Sequence, residues 1–182
     1  MVYDYWHWNN MLSEDTRQNI IKDFKENNNG NENKNLQATN ENGNIKNSNT
    51  LISTVGKLPG LNSLLDIGYK VNSEKFGYNV YEKNNLDNIL LNQYKSNMSY
   101  DWHTDESKDI IKDIKLTLLL NLSDDNGYEG GKFQIFHNVT DTIDFKPGDM
   151  IMIKSYLHHK VTPVTKGERI TLTHFITGPR FI

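Results

Sequence analysis

His103 and Asp105 stand two residues apart in "YDWHTDES", residues 100–107. On an extended strand, side chains at i and i+2 point to the same side. Such a pair supplies two of the ligands that a divalent metal requires. A mononuclear iron centre that handles dioxygen takes two imidazoles and one carboxylate on one face of an octahedron. Its other three positions stay open for substrate atoms and dioxygen. The triplet alone is weak evidence, because a chain with six histidines and this many aspartates contains a His-x-Asp by chance at roughly even odds. The third ligand must come from another strand. "DMIMIKSYLHHKVTPVTKGERITLTHF" offers His158 and His159. Being adjacent, they face opposite ways if extended, so one of the two can ligate, and the pattern leaves open which. Arg169 follows ten residues after His159, across the turn "TKGE", and shares a strand face with Thr171, Thr173 and Phe175.

These residues need strands to hold them, and strands are what the C-terminal part of the chain offers. From about Tyr78 the segments "YNVYE", "NILLNQYK", "SYDWHTD", "KLTLLLNL", "GKFQIF", "DTIDF", "DMIMIKS", "HKVTPV" and "ERITLTHFIT" are short, and turn sequences such as "DDNGYEGG", "KPGD" and "TKGE" separate most of them. Eight or nine short strands in about 100 residues fit a sandwich or jelly roll. In "KLTLLLNL", Leu116, Leu118, Leu120 and Leu122 alternate with Lys115, Thr117, Leu119 and Asn121. In the last strand, Ile170, Leu172, His174 and Ile176 alternate with the row that begins at Arg169. Alternation separates an apolar from a polar row on each strand. It does not say whether the polar row meets solvent or an internal cavity.

Two helices are expected ahead of the strands. Ser13 can cap a helix running to about Glu26, with Glu14 and Asp15 at the positive end of its dipole and Ile20, Ile21 and Phe24 as an apolar stripe. Leu61, Leu64, Leu65, Gly68 and Val71 recur at helical spacing after Pro59 and Gly60. Both fit helices packed on a sheet. Between them, residues 27–50 hold Asn at eleven of 24 positions and have almost nothing to bury, so the expectation is a mobile loop, either a lid or an unstructured insertion.

Composition narrows the partners. The net charge of −3 comes from mixed signs, so no broad basic field for nucleic acid or a membrane surface is expected. No apolar run approaches the length of a membrane span, and "MVYDYWHWNN" lacks the features of a signal peptide. With no cysteine, a metal must be held by His, Asp or Glu. The abundance of Asn, Lys and Ile fits AT-rich codons, as in a low-GC microbe or its virus. The expected location is the cytoplasm, or a host's cytoplasm if a virus encodes the chain.

Taken together, the run from Tyr94 to Phe175 resembles the Fe(II)- and 2-oxoglutarate-dependent dioxygenases, in their prolyl 4-hydroxylase-like branch. The stretches that carry the resemblance are "YKSNMSYDWHTD", "LNLSDDNGYEGGKFQIF", "FKPGDMIMI" and "HKVTPVTKGER". The resemblance implies an α+β protein built as a double-stranded β-helix, a jelly roll with N-terminal helices outside its major sheet. It implies one domain over 1–182, with 1–77 as helical support and 78–182 as the catalytic core. It selects His159 over His158, so that His103, Asp105 and His159 hold Fe(II). Arg169 binds the far carboxylate of 2-oxoglutarate, Thr171 adds a hydroxyl, Tyr94 lies near the co-substrate, and Tyr100 lies where substrate enters. Asn121, or a leucine beside it, stands where relatives often place another tyrosine for that carboxylate. Asn97 stands where they often have Gly, and can itself adopt positive φ. Phe175 stands where Trp is common. The implied reaction consumes dioxygen and 2-oxoglutarate, releases succinate and carbon dioxide, and hydroxylates a proline in a protein or peptide, with ascorbate as a candidate reductant. A free amino acid or a lysyl side chain is the alternative target. A cupin-like metal-binding module without turnover is the alternative from another class. His7, His137 and His174 are expected to be ordinary surface or core histidines. Lys115 is the competing cation for the carboxylate.

Overall fold

The computed structural model describes residues 3–27, 39–40, 43–44, 46–105 and 111–180. Along the chain the elements are β1 (Tyr5–Trp8), α1 (Glu14–Asn27), β2 (Thr39–Asn40), β3 (Gly43–Asn44), β4 (Lys46–Asn47), β5 (Asn49–Thr54) and α2 (Asn62–Val71). Then follow β6 (Asn88–Tyr94), β7 (Ser99–His103), β8 (Lys112–Asn121), β9 (Tyr128–Gly130), β10 (Phe133–His137), β11 (Val139–Ile143), β12 (Met150–Lys154), β13 (His158–Val161), β14 (Val164–Gly167) and β15 (Arg169–Pro179).

Two antiparallel sheets face each other. The larger has the order β1-β12-β8-β15-β6-β5, the smaller β11-β10-β13-β7-β4. This is the double-stranded β-helix that the motifs implied. The alternation seen in the sequence now acquires sides. Leu116, Leu118 and Leu120 of β8, Leu122 just beyond it, and Leu172 and Ile176 of β15 are buried against Ile20, Ile21 and Phe24 of α1 and Leu65 of α2. The opposite row faces the second sheet, where Leu119, Ile151 and Ile153 meet Phe133, Ile135 and Val161. Each of these large side chains contributes about 1.5–3 kcal/mol by leaving water, so both helices are held mainly by the leucine face of the larger sheet.

Local signals set the helix ends. The Ser13 hydroxyl accepts from the Thr16 N–H at 3.2 Å, which caps α1 as its sequence indicated. Arg17, also buried, ties α1 to the rest of the molecule, its Nε donating to the Ser123 carbonyl and its guanidinium pairing with Asp125 at 2.8 Å. In α2, Gly68 lets the helix lie close on the sheet: a Cβ there would stand 3.3 Å from Leu118. Among the described residues, no helix is long and apolar enough to cross a membrane.

Three expectations need correction. "YNVYE" forms no strand: Tyr81 donates one backbone bond to Thr177, and Tyr78 and Val80 pack on the helix-side core. The segment lies across the end of β15 without building a ladder. "HKVTPV" is divided into β13 and β14 around Pro163, which has no N–H to give to a ladder. The end of the Asn-rich segment is not loop. Lys46 and Asn47 pair with Tyr100 and Ser99, and Asn49–Thr54 pair with β6. Lys46, Ser48 and Thr50 alternate inward there, a period of two that the excess of Asn obscures. Most of the proposed lid (28–38, 41–42 and 45) lies outside the described residues. The aromatic N-terminus packs as strand β1 on β12, and so, with β4 and β5, the first 77 residues contribute strands to both sheets.

Candidate metal and co-substrate site

β13 pairs with β7 so that His159 lies opposite His103. Asp105 follows β7 directly, and its N–H is fixed by the Ser155 carbonyl at 2.8 Å. Ligand atoms of His103, Asp105 and His159 all lie within 4.8 Å of one another. The His159 Nε2 is 3.5 Å and the His103 Nε2 3.9 Å from the carboxylate of Asp105. Both rings are oriented from behind. His103 Nδ1 is 2.7 Å from the Asp101 carbonyl, and His159 Nδ1 is 2.9 Å from that of Leu157. A carbonyl only accepts, so each Nδ1 carries the proton and each Nε2 presents a lone pair to the centre. Burial, and then the neighbouring His159, pull the His103 pKa down to about 2, which keeps that ring neutral and able to coordinate. The Thr117 hydroxyl donates to Asp105 at 2.6 Å. Two neutral imidazoles and a carboxylate, converging from one side with no thiolate, are a donor set that fits Fe(II).

The cluster opens on a cavity of about 160 Å³ between the sheets. Arg169, Thr171, Thr173 and Phe175 line it. The polar row of β15 is therefore internal. Arg169 is buried, and among the described residues its Nε has no hydrogen-bond partner. Its guanidinium carbon lies 5.5 Å from the centre of the Tyr94 ring and 5.9 Å from that of Phe145. A buried guanidinium held between aromatic faces, with an N–H unused, is a fit for a carboxylate that comes from outside the chain. Gly131 makes room for it: at φ 55° a Cβ would be strained, and it would also meet the Arg169 Cδ at 2.9 Å. Tyr94 lines the same cavity, its pKa pushed up to about 12 by burial, with Arg169 pulling the other way. It is a neutral hydroxyl there.

Tyr100 also lines the cavity, and its ring stacks on that of His103 with centres 3.4 Å apart. His158 is exposed on the opposite face, beside Trp102 and Phe136. The structure places two residues away from the cavity. Asn121 donates to the Phe145 carbonyl and to the Tyr128 hydroxyl, and accepts from Ser123, so it braces the end of β8 and has nothing left for a co-substrate. Lys115 lies 3.6 Å from Asp113 and is not among the residues lining the cavity. His7 is paired with Asp149 at 3.0 Å, and His174 is buried next to Tyr69 of α2.

Several cavity residues were missed as site residues, among them Thr117, Asn92 and, of the described residues, the one cation that joins Arg169 in the lining, Lys46. Lys46, from the Asn-rich segment, enters the cavity beside Tyr100. The alternation Lys46, Ser48, Thr50 was the signal that could have found it.

Comparison with known proteins follows the same region. Residues 89–177 match the family model described as the 2OG-Fe(II) oxygenase superfamily. A PKHD-type hydroxylase of Synechococcus sp. (strain CC9605) is 33% identical over 95 residues, covering 50% of this chain and 42% of that protein. The chain thus spans about two fifths of the length of the curated relative it matches. Among solved structures, a Pseudomonas putida prolyl-4-hydroxylase superposes with a TM-score of 0.73 at 15% identity, over 98% of this chain and 94% of that one. A prolyl hydroxylase from Trichoplax adhaerens, solved with a peptide fragment of the hypoxia inducible factor oxygen degradation domain, gives 0.68 at 15% identity, over 95% and 83%. At such identity these two show a shared fold.

Proposed function

We propose, from the match of residues 89–177 to the 2OG-Fe(II) oxygenase superfamily, that the protein is an Fe(II)- and 2-oxoglutarate-dependent dioxygenase of the prolyl 4-hydroxylase-like kind that hydroxylates a proline in a peptide. One atom of dioxygen enters the C–H bond as a hydroxyl, and the other enters the succinate left when 2-oxoglutarate loses carbon dioxide. The observation that carries this reading is a single cavity holding both the His103–Asp105–His159 cluster and a buried arginine with a free N–H.

His103, Asp105 and His159 would hold the metal, which when bound would activate dioxygen to break an unactivated C–H bond. The carbonyls of Asp101 and Leu157 fix the two imidazoles, and Thr117 fixes the carboxylate. Arg169 takes the far carboxylate of 2-oxoglutarate in its donor fork, with the Thr171 hydroxyl on the same face. Leu119, Phe133 and Val161 keep water from that end. Tyr100, stacked on His103, presents its ring edge and hydroxyl where substrate approaches. Asn121 has no part in this reading. A peptide substrate is supported by the neighbours named as prolyl hydroxylases, one of them solved with a peptide. The test is succinate release with Fe(II) and 2-oxoglutarate, with and without proline-containing peptides. Turnover that needs Fe(II) and rises with a proline peptide supports the whole reading. Turnover stimulated only by other substrates leaves the oxygenase and removes the proline.

A further inference from the structure

Lys46 is a buried cation that the reading above leaves unused. Its side chain is 8% exposed and its ammonium carries three donor hydrogens. Among the described residues it has one hydrogen-bond acceptor, the Asn92 Oδ1 at 3.0 Å. That oxygen already accepts from the Thr50 hydroxyl, and the Asn92 amide is held by Thr173, so its direction is fixed from both sides. The ammonium also lies 5.2 Å from the Tyr100 ring centre, and Tyr100 in turn is stacked on His103. No described carboxylate forms an ion pair with Lys46. The one that faces it through the cavity is Asp105, already bound by Thr117 and turned toward the two imidazoles. Burial pulls the Lys46 pKa down to about 8, so near neutral pH the group is still mainly charged.

A buried ammonium with unfilled donors is unfavourable unless an anion or acceptor meets it. Arg169 stands at the other end of the polar row. Asn92, which holds the ammonium, pairs with Thr171, two positions from Arg169, and its amide reaches on to Thr173, four positions from Arg169. On the reading above, one 2-oxoglutarate would place its far carboxylate on Arg169 and its other end at the His103–Asp105–His159 cluster, which leaves Lys46 for the remaining ligand. We propose that Lys46 is a specificity-determining residue that receives a carboxylate of the substrate beside the carbon to be hydroxylated. The substrate class is then a compound with a free carboxylate next to the target: a free amino acid, or the carboxyl-terminal residue of a peptide. This rests on the oxygenase reading and replaces an internal peptidyl proline with a target that bears a free carboxylate.

The experiment compares acids with their amides. Free L-proline, the other free amino acids and a short peptide ending in proline are each set against the same compound carrying a carboxamide. Binding is measured by calorimetry on the Mn(II)-loaded protein, and turnover by succinate release with Fe(II). The expected result is that at least one acid binds and stimulates turnover, and that its amide is weaker by about 30-fold or more. Lys46→Met should erase that difference, while Lys46→Arg should retain part of it. The loss should fall more heavily on the acid's constant than on that of 2-oxoglutarate. The free amino acids and the peptide acid separate the two sources of the carboxylate. The proposal is overturned if amides match their acids, if no acid binds, if Lys46→Met keeps the preference, or if the main effect of Lys46→Met is on 2-oxoglutarate. Succinate release by the wild-type protein without any acid tests the oxygenase reading separately. A melting temperature for each variant separates loss of binding from loss of fold.

Discussion

On β15, Ile170, Leu172 and Ile176 lie against the helices, while Arg169, Thr171 and Thr173, one residue out of step, line the cavity between the sheets. The same strand therefore holds the fold with one row and the chemistry with the other. The rows differ in what completes them. The leucine row is completed within the chain, by Phe24 and Leu65. The arginine row is not: among the described residues the Nε–H of Arg169, which lines the cavity, has no partner, whereas the likewise unpartnered His174 ring of the other row is packed beside Tyr69 of α2. Stability is expected to depend on the first row and co-substrate affinity on the second, with little exchange between them.

The sharpest way to break this division is at the metal cluster. His159→Ala should abolish Fe(II)-dependent succinate release and lower the iron retained on metal analysis, while His158→Ala, on the outer face, should keep both. The reverse outcome would mean that β13 presents its other side to the cavity. Next comes Arg169→Ala. Loss of a buried charge pair with 2-oxoglutarate should cost about 2–5 kcal/mol, read as a KM raised roughly 30-fold or more, with the fold retained. An unchanged KM would show that another cation holds that carboxylate.

On the opposite row, Leu118→Ala opens a cavity under Gly68 of α2 and should cost about 3 kcal/mol in urea unfolding. Its KM for 2-oxoglutarate should stay close to that of the parent. A large KM change would show that the two rows are coupled. The smallest effect is expected at the turn between β6 and β7, where Asn97 has φ 68°. Asn97→Ala should cost about 1 kcal/mol, and Asn97→Gly less, because only the alanine pays the left-handed penalty. A cost to turnover larger than the cost to stability would mean that the turn also sets the position of Tyr100.

Much of this was legible before any coordinates. The period of two in "KLTLLLNL" and "ERITLTHFIT" divides each strand into two rows. The cap at Ser13 starts α1 where it was expected, and Asn97 takes the positive φ that its position requires. The motif stretches also carry the His-x-Asp pair and Arg169, because chemistry of this kind fixes residue types at fixed distances along a strand.

What the sequence could not settle is which side of a row meets what. Lys115 and Arg169 stand in equivalent polar rows, yet Lys115 lies beside Asp113 while Arg169 enters the cavity. Asn121 faces inward too, and spends all its hydrogen bonds on Phe145, Tyr128 and Ser123. Alternation fixes direction relative to the strand. Partners and depth come from the sheet opposite. Lys46 shows the same limit most plainly. Its segment reads as polar and unburied because local composition reports the average tendency to leave water. Only pairing with Tyr100 on β7, more than fifty residues away, brings that ammonium beside the metal cluster. The sequence by itself determined which residues can perform the chemistry and which strand rows they occupy. The tertiary structure decided which of the chain's polar side chains are desolvated together, because desolvation depends on what the rest of the fold lays over them.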